Sequence, residues 1–249
     1  MFQIAASHAL AIDNNDRCVF PMSVEGATPN PFERLFYANT ILRNITYGYD
    51  FTSIKKIYSE PGFHYNKIPY EQNLMLDGYF QSEKYFSHRR KEILALFSIT
   101  DYVEERLKIY EDSGIVGSDE FVAVHIRRGD YVGLSDAHKN LAESSDYYNT
   151  AFKRFSDKKK VFFSDDIEWC RRYFGSDNVF IPGSEADVVE MFLFSRIKNK
   201  IIANSSFSWW GAWLGDNSST VTVAPKTWFG PGNSHLITDD VIPLSWEKV

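Results

Sequence analysis

Phe121-Val-Ala-Val-His-Ile-Arg-Arg-Gly-Asp130 decides the fold of this 249-residue chain. Its first half is an unbroken apolar run, the pattern of a parallel strand covered on both faces. Its second half sets two guanidiniums where that strand should end. Buried charge is costly there unless an anion meets it. Arginine offers a rigid fork of donors that matches phosphate oxygens two at a time. In open α/β sheets, ligands bind just past the carboxyl ends of the strands. Side chains alternate along a strand, so His125 and Arg127 point one way and Ile126 and Arg128 the other. One arginine can face a ligand while the protein holds the other. Taken alone, the pair reads equally well as a structural ion pair with a nearby carboxylate.

Working outward, the second half alternates strand and helix signals. Helical spacing over Ser145 to Phe155 precedes a short apolar strand, Val161-Phe-Phe. Ile167 to Phe174 reads as helix and Asn178-Val-Phe-Ile as a strand stopped by proline. Asp187 to Ile197 is an apolar helix, Lys200-Ile-Ile-Ala a strand, Phe207 to Leu214 a helix, and Thr220 to Ala224 a last strand. Such alternation implies βαβ units and a parallel, doubly wound sheet. The first half is less regular. Met1 to Ile12 reads as helix, Arg17 to Phe20 and Ile54 to Tyr58 as strands, and Gly78-Tyr-Phe-Gln-Ser as a strand end. Glu83 to Tyr110 carries a long helical pattern. Gly114 and Gly117 then break the chain, which predicts domains of residues 1–115 and 116–249.

Three strand ends carry polar residues: His125 to Asp130, Ser164 to Asp166, and Asn204 to Ser208. If the strands lie side by side, these face one cleft. Hydroxyls and free amides at a helix start form an anion site, which suits Ser205, Ser206 and Ser208. The same serines also suit plain N-capping. Asp165 and Asp166 fit a metal, a helix cap, or the N–H donors of a base or sugar hydroxyls. Metal is the weakest of these, because no partner stands at ligand spacing. Trp209-Trp-Gly-Ala-Trp reads as core, and Phe207 as the ring nearer a ligand. The six histidines show no metal spacing; His8 reads as structural, and His64, His88, His138 and His235 as solvated.

A net charge of −6 argues against a nucleic-acid partner. Cys18 and Cys170 form no ligand or redox motif and read as buried thiols in a reducing compartment, with a single disulfide as the alternative. No signal peptide is visible. No apolar run approaches the roughly 20 residues a membrane helix needs. The expected setting is cytoplasmic, with a peripheral place at the inner membrane left open.

In order, His125-Ile-Arg-Arg-Gly-Asp, Phe162-Phe-Ser-Asp-Asp and Asn204-Ser-Ser-Phe-Ser-Trp-Trp-Gly-Ala-Trp-Leu resemble the α-1,2-fucosyltransferases of bacteria and animals. Gly78-Tyr-Phe-Gln-Ser-Glu-Lys-Tyr-Phe is similar to another segment of that family, and the resemblance runs over nearly the whole chain. It implies an α/β, GT-B-like fold: two Rossmann-like domains with parallel sheets facing a cleft, the first on the acceptor side and the second holding GDP-fucose. It implies inverting transfer, without cofactor or metal, to the 2-hydroxyl of a galactose-containing oligosaccharide or lipid-linked glycan. By motif match, Arg127 contacts the donor pyrophosphate, with His125 and Arg128 supporting it. As the nearest carboxylate in the motif, Asp130 reads equally as a general base or as a partner for Arg128. Arg128, Asp165, Asp166, Asn204, Ser205, Ser206, Phe207 and Ser208 complete the substrate site. Family members begin with a strand and a Gly-Leu-Gly-Asn-Gln-Met/Leu-Phe-Gln element, and Met1-Phe-Gln falls within it. The expectation is that a chain carrying that strand and turn ahead of Met1 is more stable and more active. Two other readings stay open: transfer from a different nucleotide sugar, and a non-catalytic nucleotide- or glycan-binding protein.

Overall fold

The computed structural model describes residues 1–21, 31–48 and 50–249. The chain divides into two compact units: Met1–Thr100 with Leu236–Pro243, and Asp101–His235 with Leu244–Val249.

The first unit opens with α1 (Phe2–Asp13), followed by β1 (Phe20–Pro21), α2 (Pro31–Asn39) and β2 (Tyr47–Gly48). Then come β3 (Lys56–Ser59), β4 (Leu74–Asp77) and α3 (Arg90–Leu96). Its described strands form two separate parallel pairs, β1 with β2 and β3 with β4. The strand expected over Arg17 to Phe20 is paired only at Phe20 and Pro21. The Rossmann-like sheet expected here is thus reduced, among the described residues, to these short pairs.

The long helix expected over Glu83 to Tyr110 is not continuous. Two 3-10 turns, Glu83–Tyr85 and Ser87–Arg89, precede α3, and a gap at Phe97 to Thr100 follows it. Tertiary demands break the pattern. Phe86 and Phe97 are both buried. The Arg43 guanidinium donates to the carbonyls of Ser98 (2.6 Å) and Ile99 (2.9 Å).

The second unit begins with α4 (Asp101–Asp112), which the sequence pattern had joined to the first domain. Arg196 ties it in, pairing with Glu104 (2.5 Å) and with Glu111. There follow β5 (Phe121–Ile126), α5 (Gly129–Gly133), α6 (Leu141–Ser144), α7 (Tyr147–Arg154), β6 (Lys159–Ser164) and α8 (Ile167–Phe174). The unit ends with β7 (Val179–Phe180), α9 (Asp187–Arg196), β8 (Asn199–Ile201), α10 (Ser206–Gly215), β9 (Val221–Ala224) and β10 (Glu247–Lys248).

Its six strands make one parallel sheet in the order β10-β9-β8-β5-β6-β7. The chain winds out from β5 to β7, returns to β8 on the other side of β5, and winds out to β10. The expected parallel α/β architecture is therefore present. The winding reverses between β5 and β8, the switch point where such sheets bind ligands.

Both faces are covered. On one, Val122, Val124, Ile126, Phe162, Ile201 and Val223 pack with Tyr147, Tyr148, Ala151, Phe155 and Cys170. On the other, Phe163 meets Phe194 of α9 edge-on at 5.2 Å. Trp209, Trp210 and Trp213 are core residues, as expected. Gly211 and Gly215 let α10 approach α9 closely: a Cβ at Gly215 would sit 1.9 Å from the Ser195 carbonyl oxygen. Cys18 and Cys170 are both free thiols. No helix among the described residues is long and apolar enough to cross a membrane.

Candidate active site

Strands β8, β5 and β6 are neighbours, so the three polar strand ends lie side by side on one edge of the sheet. Tyrosines on α7 secure that edge. Tyr148 Oη donates to the His125 carbonyl (2.8 Å), and Tyr147 Oη to the Ile202 carbonyl (2.6 Å).

The two arginines have different surroundings. The Arg128 side chain is only 9% exposed. Its guanidinium lies 3.9 Å above the Trp169 ring. Nε donates to Asp166 Oδ2 at 3.1 Å and Nη1 to Glu143. Asp166 also caps α8 by accepting from the Trp169 amide at 3.2 Å. Arg127 is 34% exposed and forks between two carboxylates, Asp130 (Nη2, 2.6 Å) and Asp165 (Nη1, 2.9 Å). Asp165 also accepts from the Arg128 amide at 2.9 Å. Asp130 thus holds Arg127 and not Arg128; α5 places it three residues on, on the same side of the turn. Gly129 makes the fork possible, since a Cβ there would lie 2.4 Å from Asp165 Oδ2.

His125 is buried. Its Nδ1 lies 2.9 Å from Ser208 Oγ and its ring 4.9 Å from that of Phe207. Burial, reinforced by the Arg127 charge, pushes its pKa down to about 3, so the imidazole is neutral at any working pH. Ser208 Oγ in turn accepts from the Ala203 amide at 3.2 Å. Ser205 stands at the N-cap of α10 without a side-chain bond to the helix, and Ser206 is exposed in its first turn. Ser205 therefore does not supply the capping bond that the serine pattern allows. Asn204 is buried, and its amide donates to the carbonyls of Lys139 (3.0 Å) and Trp228 (2.7 Å). These bonds make it a tie between loops.

Sequence reading missed Glu143, Trp169, Gly129 and Tyr131. Tyr131 Oη donates to the Asn204 carbonyl at 3.0 Å, and its ring stacks on His138 at 4.3 Å. His138 is therefore not the solvated residue expected; His88 is exposed, as expected, and bonds Asp13 at 2.7 Å at the surface. Gly129 and Tyr131 adjoin the arginine motif and Trp169 follows Asp166 by three residues, so proximity was the available signal. Glu143 gave none.

Around the pair of arginines stand four carboxylates: Asp130, Asp165, Asp166 and Glu143. An anion binding here relies on the exposed edge of Arg127 and on the α10 amides. No group of three or more His, Cys, Asp or Glu residues among those described is placed to hold a metal ion.

The family model for glycosyl transferase family 11 matches residues 33–246. An α-1,2-colitosyltransferase of Escherichia coli is 37% identical over 183 residues, 69% of this chain and 61% of that protein. The O-antigen biosynthesis glycosyltransferase WbnK of Escherichia coli is 33% identical over 188 residues, 70% and 61% of the two chains. Galactoside α-(1,2)-fucosyltransferase 2 of Pongo pygmaeus is 32% identical over 181 residues, 66% and 51%. The chain thus spans between half and two thirds of these relatives' lengths. Among solved structures, apo POFUT1 matches with a TM-score of 0.41 and 13% identity over 61% of this chain and 54% of that one. The fucosyltransferase NodZ from Bradyrhizobium matches with a TM-score of 0.40 and 14% identity over 59% and 53%.

Proposed function

Since the chain belongs to glycosyl transferase family 11, we propose that it moves fucose from GDP-fucose to the 2-hydroxyl of a terminal galactose-type acceptor, with inversion and without metal. The observation that carries this reading is Arg127. It is a partly exposed guanidinium at the carboxyl end of β5, beside the switch point and the uncapped start of α10. The names of the relatives support the sugar and the linkage.

The chemistry follows from charge. The bond between the fucose anomeric carbon and the phosphate oxygen breaks, and negative charge builds on GDP. Arg127 and the first-turn amides of α10 are set where that charge appears, typically the largest catalytic effect. The acceptor oxygen attacks from the opposite face, and its proton leaves to a base, for which Asp130 is our candidate. Neutral His125 and Ser208 support the strand end. Asp165 acts on the donor by fixing the Arg127 fork, and the Arg128–Asp166 pair holds the strand end behind it. Ser205, Ser206 and Phe207 line the donor site, with Asn204 closing the loop behind them. The second unit holds the donor and the first serves the acceptor, a free or lipid-linked galactose-containing glycan. The two free thiols support a cytoplasmic setting.

A second reading is transfer from another nucleotide sugar, favoured by the Escherichia coli relative named for colitose transfer. Parallel assays with GDP-fucose and GDP-colitose on lactose separate the two.

Two further results are expected. EDTA leaves transfer largely intact; abolition with rescue by Mn²⁺ or Mg²⁺ would make Asp165 and Asp166 ligands instead. Ser206→Ala weakens GDP binding by roughly tenfold to a hundredfold, the scale of one hydrogen bond to a charged group, with the melting temperature unchanged. A lower melting temperature with full GDP affinity would make Ser206 a purely structural residue.

A further inference from the structure

Parallel strands are ordinarily covered on both faces, but the β3–β4 pair in the first unit leaves one face open. Ile57 pairs with Met75 and Ser59 with Asp77 in its register. Alternation sets these four on one face. Ile57 is 54% exposed and Met75 38%, and Tyr79, just past the end of β4, is 66% exposed.

The backbone holds the Tyr79 ring outward. Phe80 is fully buried at a φ of 52°, a strained conformation for a bulky residue. Glu60 Oε2 accepts from the amides of Tyr79 (2.8 Å) and Phe80 (2.9 Å), and Oε1 from Tyr85 Oη (3.2 Å). Gln3 Nε2 donates to the Gly78 carbonyl at 2.7 Å. At Gly78 itself, a Cβ would meet Glu60 Cβ at 2.4 Å. The Phe63 ring flanks Tyr79 with centroids 6.0 Å apart. Beside it, Asp77 Oδ2 lies 3.3 Å from Ser59 Oγ, and among the described residues Oδ1 has no partner.

We infer that this open face is a carbohydrate subsite, with the Tyr79 ring stacked on the apolar face of a galactose-type pyranose and Asp77 accepting from its hydroxyls. A tyrosine on a held backbone gives a large contact area, with only two side-chain torsions to order. A carboxylate beside a hydroxyl matches neighbouring sugar hydroxyls, which both donate and accept. Other occupants fit less well. The face carries the Asp77 carboxylate, and Lys55, two residues before Ile57 on the same alternation, is short of the basic cluster that an anionic lipid surface attracts. An added peptide strand would use a sheet edge and not a face. A twofold pairing of this face with itself would bring Asp77 toward its own copy.

The inference rests on the transferase reading above and names where its acceptor binds. Its test is an NMR titration of lactose into the full chain, the Tyr79→Ala and Tyr79→Phe variants, and Asp77→Ala, with the melting temperature and the amide spectrum of each variant reporting an intact first unit and GDP affinity an intact second one. Tyr79→Ala is expected to bind lactose about tenfold more weakly, and Tyr79→Phe close to wild type. Asp77→Ala is expected to lose severalfold. Equal lactose affinity in wild type and Tyr79→Ala, or no binding by wild type, overturns the subsite. GDP-fucose turnover is read separately. Transfer to lactose with an unaltered acceptor KM in Tyr79→Ala also overturns the subsite while keeping the transferase. Lactose binding that depends on Tyr79 in a chain without transfer keeps the subsite and removes the transferase.

Discussion

Replacing Arg127 by lysine is expected to reduce fucose transfer by about 10²-fold or more. Lysine keeps the charge but loses the planar fork. Two carboxylates, Asp130 and Asp165, now fix that fork at the end of β5. A lysine ammonium can reach one of them at a time and leaves the other unpaired. It also presents a mobile point charge where the leaving diphosphate needs donors already in place. The check is kcat/KM for GDP-fucose in the Arg127→Lys chain. Turnover near wild type would remove Arg127 from the donor site.

The neighbouring arginine should behave in the opposite way. Arg128→Ala is expected to destabilise the second unit by about 2 kcal/mol, lowering its melting temperature by roughly 4–8 °C. The side chain is nearly enclosed and rests on Trp169 while bonding Asp166 and Glu143. Its loss strands two carboxylates and uncovers an indole face. The partners are partly exposed, so the effect stays below that of a fully buried pair. Arg127→Ala removes a more exposed pairing and should move the melting temperature much less. Scanning calorimetry on both variants distinguishes them. Equal shifts would mean that the two arginines share one structural role.

Much of the second unit was legible because its strands are buried on both faces. Phe121 to Val124 and Val161 to Phe163 are continuous apolar runs, and α8 falls where Ile167 to Phe174 was expected. The strand ends were legible too, because polar residues after such runs stand out. Partnerships were harder. Glu143 reaches Arg128 from α6, and nothing in local spacing announces that contact. The carbonyls of Ser98 and Ile99 belong to Arg43, 55 and 56 residues earlier, so the helical pattern over Glu83 to Tyr110 could not show its own interruption. The two-residue strands β7 and β10 exist through their neighbours in the sheet and carry little pattern of their own. In the first unit, Phe80 shows the same limit: its left-handed backbone is held by Glu60, which lies 20 residues away.

The central claim is tested most directly by the product formed from GDP-fucose and lactose, its glycosidic linkage read by NMR. The account predicts fucose in α linkage on the galactose 2-hydroxyl, with the β-linked donor inverted. Absence of any fucosylated lactose, or fucose on a different hydroxyl or in β linkage, would contradict it.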